Sequence, residues 1–174
     1  WPRALAGRFE ERFLEVPAEA LISSMKQHQK YFHVVDANGA LLPHFITVAN
    51  VDSSDAQKVV DGNERVIRPR LSDAAFFFAQ DKQSTLAARR ERLRSIVFQT
   101  ELGSIWDKTE RVATLARTIG TELGADPALC ARAAELSKSD LVSERVLEFD
   151  ELQGIMGTYY ARNDGEDPAV AAAL

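Results

Sequence analysis

The sequence predicts an α+β protein: a β-hairpin in a small antiparallel sheet with helices, followed by an all-α remainder. Two observations carry that prediction. Residues 31–51 form two aromatic and β-branched runs around Asn38-Gly39, a strong short-range hairpin signal. Beyond Asp52 the apolar residues recur at three- and four-residue spacing, as on the buried stripe of a helix. The composition agrees: 45% hydrophobic and 27% charged residues are ordinary globular values and argue against bulk disorder. A chain of 174 residues buries roughly two-thirds of its unfolded surface, so it holds a core without covalent staples.

Taken in order, Ala18 to Gln27 reads as a short helix, because Pro17 suits a first turn where its missing N–H costs nothing. Tyr31 to Val35 is the first hairpin strand and Leu41 to Val51 the second. Pro43 cannot donate to a ladder and is expected near the start of its strand or on an edge. Ser53 or Ser54 can cap a helix running toward Ile67, which Gly62-Asn63 weakens and Pro69 breaks or kinks. Leu71 to Gln80 resumes the pattern, and Thr85 to Ile96 reads as a basic helix. Val97 to Ser104 is expected as a connector. Lys108 to Leu123 is the next helix, stopped by Gly124, and Asp126-Pro127 caps and opens another. Val142 to Glu151 and Ile155 to Ala161 complete the helical stretches. The expected portions are residues 1–52 (α+β with the hairpin), 53–100 (helical) and 101–174 (all-α).

Much is excluded. No run approaches the roughly 20 apolar residues that span a bilayer, so no membrane partner is expected. Cys130 is the only cysteine, which leaves no intramolecular disulfide or Cys-rich zinc site and suits a reducing cytoplasm. No signal peptide is visible; Trp1 at the start and the apolar 169–174 end read as cuts through a longer protein. Neither a P-loop, a strand-linked GxGxxG nor a GxSxG elbow is present. His28, His33 and His44 cluster around the hairpin without a ligand spacing, so no metal site is expected. Cys130 reads as an inert thiol. Asp140, Glu144 and Glu148 share a helical side and read as a solvated face.

Charge points elsewhere. Residues 1–100 carry 14 basic and 12 acidic residues, a net of +2, whereas 101–174 carry 7 and 14, a net of -7. A polyanion would meet the first part. Two basic clusters stand out: Lys58, Arg65, Arg68 and Arg70, then Lys82, Arg89, Arg90, Arg92 and Arg94. Arginine forks match phosphate geometry. The competing reading pairs these cations with Asp61, Glu64, Asp73 and Asp81 on a solvated face. Lys26, Lys30, Arg65, Arg68 and Arg70 are the candidate phosphate-contacting residues, with no catalytic and no metal-binding residue.

Longer strings then accumulate. Met25-Lys26-Gln27-His28-Gln29-Lys30-Tyr31-Phe32, Leu42-Pro43-His44-Phe45-Ile46-Thr47-Val48-Ala49-Asn50, Gly62-Asn63-Glu64-Arg65-Val66 and Arg68-Pro69-Arg70-Leu71-Ser72-Asp73-Ala74 with Phe76-Phe77-Phe78 stand in order. So do Leu136-Ser137-Lys138-Ser139-Asp140-Leu141, Leu152-Gln153-Gly154-Ile155-Met156-Gly157 and Tyr160-Ala161-Arg162. Together they resemble the β subunit of bacterial tetrameric glycyl-tRNA synthetase, from about Phe9 to the end. The resemblance implies an internal part of that subunit in an α2β2 ligase that charges tRNA(Gly) with glycine at the cost of ATP. It implies ATP and Mg chemistry in the α subunit and no cofactor in this piece, which is expected to be inactive alone. Its implied partners are the α subunit and tRNA(Gly).

The family also implies a degenerate HD-like helical domain. Lys108-Thr109-Glu110-Arg111-Val112 is similar to the first helix of HD phosphohydrolases, with Lys108 where a histidine would stand. Ala133-Ala134-Glu135-Leu136 followed by Asp140 is similar to the helix of their His-Asp pair, with Lys138 or Ser139 at the histidine. HD chemistry needs several His/Asp ligands to hold an ion that activates water. With no histidine after His44, the hydrolase reads as lost. The alternatives are a divergent HD-type phosphohydrolase or a non-catalytic RNA-binding adaptor.

Overall fold

Strands β1 (Arg3–Arg8), β2 (Phe32–Val35) and β3 (Leu41–Ala49) form an antiparallel sheet in the order β1-β3-β2. The computed structural model describes residues 2–51 and 53–174; Asp52, the expected boundary residue, lies outside the described residues. The hairpin turn forms as expected. Gly39 takes φ +83°, and Asp36 Oδ1 accepts from the Asn38 and Ala40 amides at 2.8 and 2.9 Å. Pro43 stands near the start of the central strand. Its carbonyl accepts from the Phe9 amide at 3.0 Å, one residue past the end of β1, so the missing N–H falls at the end of the β1–β3 ladder.

β1 has no counterpart among the expected elements. Its register places Gly7 opposite Phe45, and a Cβ on Gly7 would lie 2.4 Å from the Phe45 ring. The absent side chain is what lets the fully buried ring lie over β1. Tyr31 stacks on Phe45 at 4.6 Å between centroids, and the Tyr31 hydroxyl donates to Asn63 Oδ1.

Helix α1 (Ala18–Ser23) follows Pro17 and passes into a wider π turn over Ser24–His28. Helix α2 (Ala56–Asp81) continues through Pro69, where a break or kink is expected, so the chain does not leave the helix there. Proline in a helix interior costs about 3 kcal/mol through one lost bond and a carbonyl clash. Pro69 faces solvent, while Ile67, Leu71 and Ala74 on either side of it are fully buried. Burying those side chains on both halves outweighs the local penalty.

The chain divides into two units, Trp1–Phe78 and Ala79–Leu174, so the dividing point falls inside the 53–100 portion expected from sequence. The second unit contains helices α3 (Leu86–Arg90), α4 (Ile105–Glu122), α5 (Pro127–Leu136), α6 (Glu144–Glu148), α7 (Ile155–Asn163) and α8 (Pro168–Ala172). The expected basic helix stops at Arg90 and tightens into a 3-10 turn over Glu91–Ser95. The expected connector is a two-stranded ribbon, β4 (Val97–Gln99) and β5 (Gly103–Ser104). Asp126 caps α5 through the Ala128 amide at 2.8 Å, and Pro127 opens it, as expected.

Distant carboxylates cap three helices of this unit. Asp81 accepts from the Glu144 and Arg145 amides at the start of α6, at 3.0 and 3.2 Å. Asp140 Oδ2 accepts from the Gly154 and Gly157 amides of α7, at 2.6 and 3.1 Å. Asp164 accepts from Leu86 N at the start of α3, at 2.7 Å. Each satisfies helix N–H groups that have no partner within the helix. Among the described residues, no helix is long and apolar enough to cross a membrane.

Candidate nucleic-acid interface

All five candidate cations lie in the first unit. Lys26 is exposed on the π turn, anchored by its fully buried neighbour Met25. Lys30 closes that turn with φ +58°. Its amide donates to the Lys26 carbonyl at 3.2 Å and the Tyr31 amide to the Met25 carbonyl at 3.1 Å. Lys30 is the one non-glycine residue at positive φ among the described residues. A left-handed backbone costs an L-residue about 1–2 kcal/mol, and glycine avoids most of that cost.

The arginines of α2 diverge. At about 100° per residue, Arg68 stands roughly 60° from Arg65, and Arg70 about 140° from it in the other sense. The core stripe of Ile67, Leu71 and Ala74 fixes the inward direction, so Arg65 points outward while Arg68 and Arg70 flank the core on opposite sides. Because the helix continues through Pro69, its period carries across all three arginines. Arg70 lies seven residues beyond Asn63, on the same side two turns along, and Asn63 holds the Tyr31 hydroxyl beside Lys30.

Arg68 turns toward the β1 side. Its Nε lies 2.6 Å from Glu10 Oε1. The Glu10 carboxyl is held below its ordinary value, first by its own backbone amide, against an opposing effect of burial, and then by Arg68. The two residues line a polar cleft of about 470 Å³ with Arg8, His44 and Glu64. Glu64 accepts from the Arg8 amide at 2.9 Å and Asp61 from Gln57 at 2.8 Å. Glu64 and Asp61, two of the anions expected to neutralise this cluster, are therefore bonded to other groups. Lys58 pairs with Asp55 at 3.1 Å, whereas Lys26, Lys30, Arg65 and Arg70 have no ion-pair partner among the described residues.

The second basic cluster is largely structural. Arg89 is buried against Asp81, with Nη2 3.2 Å from Oδ1. Arg90 pairs with Glu110, Arg94 pairs with Glu91 at 2.8 Å, and both guanidinium groups lie over the Trp106 ring. Asp140 and Glu148, expected on a solvated face, serve the fold instead. Asp140 is 1% exposed and caps α7, and Glu148 pairs with the buried Arg145 at 2.7 Å. Burial pushes the Asp140 carboxyl above its ordinary value, opposed by the two glycine amides. Among the described residues, no three His, Cys, Asp or Glu side chains converge to hold an ion. Cys130 is half-buried between α4 and α5.

Sequence reasoning missed the pairing of Arg68 with Glu10 and the asymmetry of the three arginines. The helical period after Pro69 held the second signal, because only an unbroken helix fixes those angles.

A model of the glycyl-tRNA synthetase beta subunit family matches residues 1–174. The chain is similar to a glycine–tRNA ligase beta subunit of Marinobacter nauticus, 65% identical over 174 residues, which is 100% of this chain and 25% of that protein. It is 63% identical over 173 residues to that of Hahella chejuensis, covering 99% of this chain and 25% of the relative. It is 59% identical over 174 residues to that of Chromohalobacter salexigens, again 100% and 25%. The chain spans about a quarter of the length of the curated relatives it matches.

Proposed function

This chain belongs to the glycyl-tRNA synthetase beta subunit family, and we propose that its first unit grips the phosphate backbone of tRNA(Gly) during ATP-dependent attachment of glycine. The observation that carries this reading is the set of exposed cations without anionic partners among the described residues: Lys26, Lys30, Arg65 and Arg70. Lys30 adds weight, because a lysine occupies a left-handed position where glycine would be more stable. Arg68 joins them by exchange, since a surface pair such as Arg68–Glu10 is worth at most about 1 kcal/mol and a phosphate can compete for the guanidinium.

Such contacts read shape and charge rather than sequence. RNA duplexes hide their major-groove edges, and arginine forks and lysine ammonium groups match phosphate oxygens. The chemistry asked of these residues is positioning: they hold the RNA while adenylation and transfer occur at the α subunit with its ATP and Mg. We read the second unit as a degenerate HD-like domain in which Asp140 has become a helix cap, and we assign assembly with the α subunit to this family member in the cytoplasm.

Replacing Lys26, Lys30, Arg65, Arg68 and Arg70 together by Ala in the full-length subunit, assembled with α, tests the reading. The expected result is weaker binding of tRNAs of any sequence, with an unchanged melting curve. Unchanged affinity in a folded variant overturns it.

A further inference from the structure

Helix α4 carries two apolar stripes. Thr109, Ala113 and Gly120 are buried, and α5 packs against this side of α4, with Gly120 against Cys130. About a quarter-turn away a second stripe, Val112, Leu115, Ile119 and Leu123, is 40%, 61%, 55% and 79% exposed. Four large apolar side chains at i, i+3, i+7 and i+11 are the pattern of a helix face that another element covers. Beside them runs a groove of about 430 Å³ whose floor includes Ala116, Gly120, Ala133 and Ala134. Among the described residues, none that lines it is charged. The small floor residues let a backbone approach closely, and a Cβ on Gly120 would already lie 2.8 Å from Cys130 Sγ.

We infer that this groove is the docking site of an amphipathic helix of about three turns from the same subunit's polypeptide outside residues 1–174. The stripe spans 12 residues, from Val112 to Leu123 at the C-cap of α4, about 16 Å along the axis, which sets the length of the occupant. An uncharged lining has the character of a permanent contact, a core cut in half, rather than of an exchanging one with a polar rim. In the relatives about three-quarters of the polypeptide lies outside the matched stretch, so candidate occupants exist in the same chain. Covalent linkage supplies them at high effective concentration. Isolated large apolar residues on a surface need no such account; a contiguous stripe of four beside an apolar groove does. The inference rests on family membership and is independent of the tRNA-contact reading.

The test uses the full-length subunit with a photoreactive phenylalanine analogue at Leu115, Ile119 or Leu123 in turn. Each variant is irradiated alone and after assembly with α, and adducts are mapped by mass spectrometry. The expected result is intrachain crosslinks from all three positions to one segment outside residues 1–174, the same with and without α. Crosslinks to α, crosslinks to a second copy, or reaction with solvent alone each overturn the proposal. Leu115→Glu with Ile119→Glu in the full-length subunit gives a second readout. Faster amide exchange in α4 and in the crosslinked segment together is expected; faster exchange in α4 alone contradicts the assignment.

Discussion

Replacing Asp81 by Ala should come close to unfolding the second unit. Asp81 is 1% exposed and collects four partners: Arg89 at 3.2 Å, the Tyr160 hydroxyl at 2.7 Å, and the Glu144 and Arg145 amides at 3.0 and 3.2 Å. Burial and the adjacent carboxylate push the Tyr160 phenol far above its ordinary value, so it remains a proton donor throughout the accessible pH range. Removing one partner of a buried ion pair costs about 3–5 kcal/mol, because the other charge is left uncompensated. The guanidinium of Arg89 keeps its bonds to the carbonyls of Asp81 and Ser84, which favours the lower end. A stranded phenol adds about 1–3 kcal/mol and a lost helix cap about 1 kcal/mol, although these losses overlap. A total of about 4–6 kcal/mol follows, against typical domain stabilities of about 5–15 kcal/mol. Tyr160→Phe removes one charge-assisted bond and should cost about 1.5–3 kcal/mol. Urea unfolding monitored by fluorescence and circular dichroism measures both. A loss under about 1 kcal/mol for Asp81→Ala, or Tyr160→Phe costing as much as Asp81→Ala, would refute this account of the network.

Gly7→Ala should destabilise the first unit by about 1–3 kcal/mol through overpacking against Phe45, readable in melting curves. Lys30→Gly should raise stability by about 1 kcal/mol while weakening tRNA binding, which separates the backbone cost from the use of the side chain. Asp140 has a raised pKa, so the folded state holds its proton more tightly than the unfolded state does. Its contribution is fully present below the unfolded value of about 3.9 and is lost as pH rises through the folded value. Urea titrations of the protein and of Asp140→Asn across pH should therefore show the native protein losing stability relative to the variant as pH rises; a flat difference contradicts it.

The hairpin was legible because Asn38-Gly39 and the aromatic runs around it are strong local signals. β1 was not, because Arg3–Arg8 contains Gly7 where an inward apolar residue would announce a strand, and the partner that explains the glycine is Phe45, far along the chain. Pro69 misled in the opposite direction: a local rule predicted a break that long-range burial of Ile67 and Leu71 overrode. Acidic residues were the least legible. Asp81, Asp140 and Asp164 look like surface charge in one dimension and are helix caps in three. The candidate cations were legible as a cluster, but only the helix geometry shows that Arg65, Arg68 and Arg70 face three ways.

The salt dependence of tRNA binding tests the central claim most directly. Affinity of the assembled full-length enzyme for tRNA(Gly) is measured from low to high salt, for the native subunit and for the variant with Lys26, Lys30, Arg65, Arg68 and Arg70 replaced by Ala. Each true phosphate contact contributes about 0.9 to the slope of log K against log salt on a duplex and about 0.7 on a single strand. The account predicts a slope shallower by roughly 3.5 to 4.5 in the variant, with equal losses for tRNAs of other sequence. An unchanged slope in a folded variant would contradict it.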